Sequence, residues 1–344
     1  MAEKEYRDLH SEMAQEVKLP IGGAIVIPPH RTDLIAGAGL VYKDLGIDWS
    51  EYLPEGELQQ VNGVDLYDCV SNGSVEAVEV QLNAFLIEGL LSENAKNWLI
   101  ENGYLVNGKF DLSERYIAKL SGTDPQWGNT WQNVADAIRH WGVVPESKWD
   151  SNVSSIGEFY KDVPQSVKDL GLEFLKWFDI TYEIVSQGMP LNRETIAYHL
   201  KHAPLQVIGF VCSGWNTQNP VKSCPPGGGQ HCTLLYSLGS YNVLDTYVIY
   251  LKTLTDDYPL NFAGKIIIKE KSMISLDLIK KWLQGFYQAV GWTWDSSAWS
   301  IQRQNAILKD PVTEGKNFGI ATKNNLGQLS SGWKQILINI IEKM

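Results

Sequence analysis

Hydrophobic positions in the first half of the chain recur with the period of an α-helix. In the segment VEAVEVQLNAFLIEGLL an apolar stripe predicts a long core helix through Val75, Val78, Leu82, Phe85, Leu86, Gly89 and Leu90. The same spacing predicts shorter helices at about 130–141 and 165–178, and another that runs from a cap at Asn192 to His202. The predicted helices of this region therefore all lie before Pro204.

Beyond Pro204 the pattern changes to short apolar runs that are typical of strands. The runs LQVIGFV, CTLLYSL, YNVLDTYVIY and KIIIK are separated by turn residues, and the first three are long enough to form a sheet. Because helices come first and strands second, the pattern predicts an α+β fold and not a repeating βαβ sheet.

The two ends of the chain differ from this central region. Residues 1–50 have no useful helical period, and Pro28-Pro29 forces local extension, so they are predicted to form an extended strap. Helical periodicity returns after Ser275 and predicts a C-terminal helical appendage. The expected organisation is a strap at 1–50, one domain at 51–271 and the appendage at 272–344.

Charge and composition exclude several classes of protein. Among 344 residues, 29 are Lys or Arg and 40 are Asp or Glu, and the net charge of −11 argues against binding nucleic acid or an anionic membrane. Neither a signal peptide nor an apolar run of about 20 residues is evident, so a cytoplasmic location is the default expectation. Four cysteines are too few for the disulfide framework of a small secreted domain.

The position of Cys69 is the first indication of chemistry. It stands at the start of the strong core helix, where the helix dipole and unpaired backbone N–H groups lower the pKa of a thiol toward the reactive thiolate. A thiolate there can attack a carbonyl carbon, and its own N–H can face the oxyanion that develops. The alternative is a buried, inert cysteine.

A thiolate nucleophile needs a base, and His231 has the most suitable position of the six histidines. It follows a glycine run and begins a predicted strand, whereas the other histidines lie in the strap or on predicted helices. Asp245, fourteen residues later on the next predicted strand, can accept a hydrogen bond from the second ring nitrogen. Adjacent antiparallel strands would bring the two residues together.

With these residues in place, the chain resembles the papain-like cysteine proteases, in a divergent form. The landmarks are Cys69, the Leu112-Ser113-Glu114 segment, WQNVADAIRHWGVVPESKW, and the Gly-rich approach to a strand-borne His in GGGQHCTLLYSLGSYNVLDTY. The resemblance covers roughly residues 50–255. It implies a two-lobed fold, with Cys69 on a helical lobe and His231 and Asp245 on an antiparallel sheet lobe.

The implied activity is that of a thiol-dependent peptidase that acts on a peptide or protein through a Cys-His-Asp triad, without cofactor or metal. This chain departs from the family at three points. Tyr67-Asp68-Cys69-Val70-Ser71 replaces the usual C-G-S-C-W signature, Asp245 replaces the usual Asn, and the strap lacks the helical period of the inhibitory pro-region. The oxyanion glutamine is expected at Gln59, with Gln60 as the second choice.

Other interpretations stay open at this point. The Asp68-Cys69 pair is also found in thiol hydrolases of bacterial cell-wall peptides. Cys212, Cys224, His231 and Cys232 have the residue types of a zinc site but lack its usual C-x₂₋₄-C pairing, and Cys212 and Cys224 can alternatively form a loop disulfide.

A non-enzymatic role is the third alternative. The appendage contains the Trp-rich segment GWTWDSSAW, which can dock to a protein partner or pack into a core. Because bacterial and bacteriophage genomes contain papain-like proteins with such extra segments, an inactive, virion-associated protein is an alternative by analogy.

Overall fold

The structure is a computed structural model that describes residues 24–25, 45–188, 191–225, 229–247 and 249–271. The predicted appendage at 272–344 and most of the strap lie outside the described residues. The helices are α1 Cys69–Ile87, α2 Glu93–Glu101, α3 Glu114–Leu120, α4 Trp131–Trp141, α5 Ile156–Phe159, α6 Gln165–Trp177 and α7 Arg193–Leu200. The first six strands are short: β1 Ala24–Ile25, β2 Gln60–Val61, β3 Val64–Asp65, β4 Leu105–Val106, β5 Lys109–Phe110 and β6 Asn129–Thr130. The main strands are β7 Phe178–Gln187, β8 Leu205–Phe210, β9 Gln230–Leu238, β10 Tyr241–Leu244, β11 Leu251–Leu254 and β12 Leu260–Glu270.

Six antiparallel strands form the main sheet, in the order β11-β10-β9-β8-β12-β7. The four predicted strand regions all lie in it, and the α+β class is confirmed. Two details of the prediction were wrong. The run KIIIK is shorter than the three runs that are predicted to form a sheet, but it is part of β12, the longest of the described strands. Of YNVLDTYVIY, only Tyr241–Leu244 belongs to strand β10.

Strand β7 was not predicted. It begins at Phe178, directly after α6, so no Gly or Pro separates helix from strand. The predicted helix at 165–178 is therefore correct except for its last residue. Pairing with β12 over the whole length of β7 gives this segment its extended conformation, and a local sequence pattern does not reveal such a partner.

The central helix α1 is buried on nearly all sides and packs against β9. The predicted apolar stripe lies on it, but the helix begins at Cys69 and ends at Ile87, so Gly89 and Leu90 lie beyond its end. Its polar side chains are also buried, and Gln81 binds the main sheet. Gln81 Nε2 donates to the Ile266 carbonyl at 3.0 Å, and Gln81 Oε1 accepts from the Ile268 N–H at 3.2 Å.

Two of the predicted helices begin at the capping residues that the sequence provides. The Thr130 side chain accepts from Asn133 N at the start of α4, and the Asn192 side chain accepts from Thr195 N at the start of α7. Helix α2 was not predicted, because only Ala95 and Leu99 are buried on it and two positions do not define a period.

The helical half and the sheet meet tightly at Trp131, the first residue of α4. Trp131 Nε1 donates to Gln206 Oε1 at 3.0 Å. The ring also lies so close to Gly264 of β12 that a Cβ there would be 2.4 Å from it. Gly264 is therefore a packing requirement of this junction.

Candidate active site

Cys69 is the first residue of α1, and its side chain is buried. Asp68 occupies the N-cap position, but its side chain makes no capping hydrogen bond. The positive end of the helix is thus next to the sulfur without a carboxylate bound to its first N–H groups. Burial, with the charge of Asp65, raises the pKa of Asp68 to about 7, which limits the negative charge beside the thiol near neutral pH.

The turn that leads into α1 has an unusual backbone conformation. Tyr67 adopts a left-handed φ of 57°, which costs energy for a residue with a side chain. Its N–H donates to Asp65 Oδ1 at 2.7 Å, and Asn72 Nδ2 donates to the Asp68 carbonyl at 3.1 Å. These bonds fix the path of the chain on both sides of Cys69.

His231 and Asp245 are brought together by two neighbouring strands. His231 is the second residue of β9, and Asp245 directly follows β10, which pairs antiparallel with β9. The distance from His231 Nε2 to Asp245 Oδ1 is 2.5 Å, and both side chains are fully buried. Asp245 was expected on a strand; it lies instead at the start of the turn that follows β10.

The second oxygen of Asp245 accepts hydrogen bonds from two other side chains. Trp215 Nε1 donates to Oδ2 at 2.9 Å, and the ammonium of Lys252 on β11 donates to the same oxygen. The Trp215 ring also contacts the His231 ring edge-on, with centroids 5.6 Å apart. Three donors from three segments therefore converge on one carboxylate.

The environment of His231 favours its protonated form. Burial alone would lower its pKa, but the charges of Asp245 and Cys69 outweigh burial and raise the pKa of His231 to about 10. Since Nε2 faces Asp245, Nδ1 is the nitrogen left for proton transfer. It is buried, and Cys69 is another group that interacts with this imidazole.

Gln59 is buried beside this group, but its amide is fully engaged. Its Nε2 donates to Asp65 Oδ1 at 2.9 Å and to the Tyr247 hydroxyl at 3.0 Å, which uses both of its N–H groups. Its Oε1 accepts from Thr246 Oγ1 at 2.6 Å. In this arrangement Gln59 has no N–H available for an oxyanion, while the Gln60 side chain is exposed.

Four residues of the site were not identified from the sequence: Asp65, Trp215, Tyr247 and Lys252. The Tyr247 ring lies 4.9 Å from the His231 ring, and its hydroxyl donates to Asp65. Asp65 and Tyr247 flank candidate residues closely in sequence, so a search of the flanking positions could have found them. Nothing in the sequence pattern distinguishes Trp215 or Lys252 from ordinary core and strand residues.

Cys212 and Cys224 form a disulfide with an S–S distance of 1.98 Å, which closes the loop that carries Trp215. This bond removes two of the four ligands of the zinc alternative. Across the described ranges, no group of three or more His, Cys, Asp or Glu side chains is arranged to hold a metal ion.

Strand β1 of the strap contacts β9, the strand that carries His231. It pairs in parallel with β6, with Ala24 opposite Asn129 and Ile25 opposite Thr130. Ala24 belongs to the same buried hydrophobic cluster as Cys69. A segment from the N-terminal part of the chain is thus part of the hydrophobic cluster that includes Cys69.

Within the described part of the chain, no helix is both long and apolar enough to cross a bilayer. No protein-family model matches the sequence, and no curated protein matches it either. Solved structures do resemble the fold. Xylellain, a cysteine protease from Xylella fastidiosa, matches with a TM-score of 0.50 and 13% identity over 72% of this chain and 95% of its own.

Two further structures match with lower scores. The ragweed pollen cysteine protease Amb a 11 in its proform has a TM-score of 0.46 and 14% identity, over 67% of this chain and 68% of its own. ProCathepsin B S9 from Trypanosoma congolense has a TM-score of 0.44 and 10% identity, over 73% and 87%.

Proposed function

Because the chain has the papain-like fold, we propose that it is a thiol-dependent peptide hydrolase in which Cys69 is the nucleophile, His231 the acid and base, and Asp245 the residue that orients His231. One observation carries the proposal: His231 Nε2 lies 2.5 Å from Asp245 Oδ1, and Cys69 is among the groups that raise the pKa of the same imidazole. This is the arrangement that stabilises a thiolate–imidazolium pair.

The first half of the reaction is acyl transfer to sulfur. The Cys69 thiolate attacks the carbonyl carbon of a peptide bond, and the carbonyl electron pair moves onto oxygen. When the intermediate collapses, the C–N bond breaks and the leaving nitrogen takes the proton from His231 Nδ1. The products are a free amine, a Cys69 thioester and a neutral imidazole.

The second half is hydrolysis of the thioester. His231 Nδ1 takes a proton from water as the water oxygen attacks the thioester carbon, and the C–S bond breaks to release a carboxylic acid and the thiolate. Throughout both halves Asp245 accepts from Nε2–H and keeps the ring in one orientation. Each cycle consumes one water and restores the starting thiolate–imidazolium pair.

The oxyanion faces the N-terminus of α1, where the Cys69 N–H is the proposed donor. Gln59 was expected as the second donor, and this role requires that it release either Asp65 or Tyr247. Removing a single oxyanion donor typically slows an acyl transfer by about 10²-fold to 10³-fold, so a Gln59→Ala variant measures its share directly.

Access to Cys69 is the second requirement, because its side chain is completely buried. Strand β1 adds a second strand along the β6 edge, which is how an extended peptide also binds a strand edge. We therefore infer that β1 must leave this edge before a substrate can reach the thiol.

The test is hydrolysis of casein by the full chain, with purified peptidoglycan assayed in parallel to separate a general peptidase from a cell-wall hydrolase. Cys69→Ala should abolish hydrolysis. Cys232→Ala is the matched control, since Cys232 is the other free and fully buried cysteine among the described residues, and it should retain activity. Hydrolysis that survives in Cys69→Ala would refute the proposal. So would the absence of hydrolysis on either substrate both by the wild-type chain and by Ala24→Glu, a variant designed to displace β1.

A further inference from the structure

The Asp245 carboxylate has a buried cationic partner that the triad by itself does not require. Lys252 is 1% exposed, and its ammonium donates to Asp245 Oδ2. A buried lysine is rare unless it is paired, because burial disfavours its charged form. Its presence here therefore needs a reason.

The position of Lys252 is fixed by the sheet and by the turn that it closes. It lies on β11 opposite Val243 of β10, so its side chain reaches the residue that follows β10. The ammonium also donates to the Ile249 carbonyl at 2.7 Å and lies 5.7 Å from the Trp215 ring centroid. These contacts hold one positive charge against the side of Asp245 that faces away from His231.

We propose that Lys252 is a positioning residue of the Cys69–His231–Asp245 group: it holds Asp245 at Oδ2 and offsets its charge, so that Oδ1 orients His231 without binding its proton too tightly. The inference rests on the proposed function for its catalytic meaning. Asp245 and Lys252 together carry no net charge, as a neutral amide would at the same place. The pair thus supplies the orientation that Asp245 gives, with less of the charge that an isolated carboxylate would impose.

The charges around this group come from several elements. The titratable groups that interact with Asp245 or His231 are Cys69 and Glu76 of α1, Asp65 of β3, Cys232 of β9, Tyr247 and Tyr258. Asp65 and Glu76 are acidic and lie on the side of α1 and its leading turn. Lys252 is therefore the positive charge that balances Asp245 from the sheet side.

The experiment measures the protonation of His231 directly and does not depend on hydrolysis. It uses histidine-labelled full-length protein in a Cys69→Ala background, with the His231 ring signal assigned by its loss in His231→Gln, and follows that signal by NMR against pH. Removing a positive charge at this distance should raise the titration midpoint of His231 in Lys252→Met by about one pH unit.

Two variants separate the charge from a purely structural role. Lys252→Gln keeps a hydrogen-bond donor for the turn but removes the charge, so it should shift the His231 midpoint in the same direction as Lys252→Met. Lys265→Met is the matched control, because Lys265 is equally buried and its ammonium lies 2.5 Å from Glu183, elsewhere on the sheet. It should leave the His231 midpoint unchanged.

A midpoint in Lys252→Gln that equals the wild-type value would overturn the proposal, and so would an equal shift in Lys265→Met. If Lys252→Met does not fold, the comparison of Lys252→Gln with wild type decides the matter. Failure of the peptidase assay would instead refute the proposed function and leave the His231 titration unaffected.

Discussion

Replacing Asp245 by Asn is the perturbation that tests the electrostatics of the site most sharply. Asn is the usual residue at this position in papain-like proteases, yet here three donors converge on the two carboxylate oxygens of Asp245. An amide has only one oxygen. Asp245→Asn must therefore leave either the His231 N–H or the Trp215 and Lys252 donors without an acceptor.

The magnitude follows from the pKa of His231, which rises from 6.5 to about 10 in the folded protein. At about 1.4 kcal/mol for each tenfold change, this corresponds to about 5 kcal/mol in favour of the imidazolium. If the variant returns His231 to about 6.5, only about 3% of it is protonated at pH 8, so kcat/KM at that pH should fall about 30-fold.

The free energy of unfolding should also depend on the pKa of His231. The raised pKa of His231 stabilises the folded state fully below about pH 6.5, and this contribution is lost as the pH rises toward 10. Asp245→Asn should therefore lose more stability relative to wild type at pH 6 than at pH 10.

The assay is the pH dependence of kcat/KM for a peptide substrate, with thermal melts at the same pH values. Asp162→Asn is the control, because Asp162 is an exposed acid that pairs with Lys119 away from the site. A basic limb of the Asp245→Asn profile that coincides with that of wild type would show that Asp245 does not set the protonation of His231.

Three further predictions concern the strap, the buried carboxyl groups and the core. Ala24→Glu should place a charge in the buried seat of β1 and increase the alkylation rate of Cys69 at least tenfold; an unchanged rate would show that β1 does not restrict access. Burial raises the pKa of Glu146 to about 8, so the free energy of unfolding falls as the pH rises from about 4.5 to 8. Glu146→Gln should therefore be more stable than wild type by a few kcal/mol at pH 8 but not at pH 5. Denaturant melts at both pH values that show no gain in stability at pH 8 would contradict this prediction. Gly264→Ala should lower the unfolding free energy by about 1–3 kcal/mol, because its methyl group overlaps the Trp131 ring; a melt equal to that of wild type would contradict this packing.

The parts of the fold that the sequence predicts well are those whose local pattern and tertiary role agree. Helix α4 has a clear apolar face, and the structure confirms it at Trp131–Trp141. The fourth predicted helix begins after its predicted cap, Asn192, but it ends at Leu200 and does not reach His202. Strand β7 was not predicted, because its conformation comes from pairing with β12, a segment far along the chain.

The residues of the candidate site differ in the same way: some can be predicted from local sequence and others only from tertiary contacts. Cys69 and His231 stand at the ends of regular elements, where position alone suggests chemistry. Trp215 and Lys252 act on Asp245 through contacts that only the folded chain creates. No sequence pattern relates the positions of these two residues to that of Asp245, so they could not be predicted.

The roles of Cys69 as nucleophile and His231 as its base can be tested by comparing the two free cysteines that the structure describes. Cys69 and Cys232 are both fully buried, so exposure favours neither of them. We expect an epoxide probe at pH 7, followed by peptide mapping, to label Cys69 at least tenfold faster than Cys232, and His231→Ala to remove that difference. Equal labelling of the two thiols, or a preference for Cys69 that persists in His231→Ala, would contradict the account.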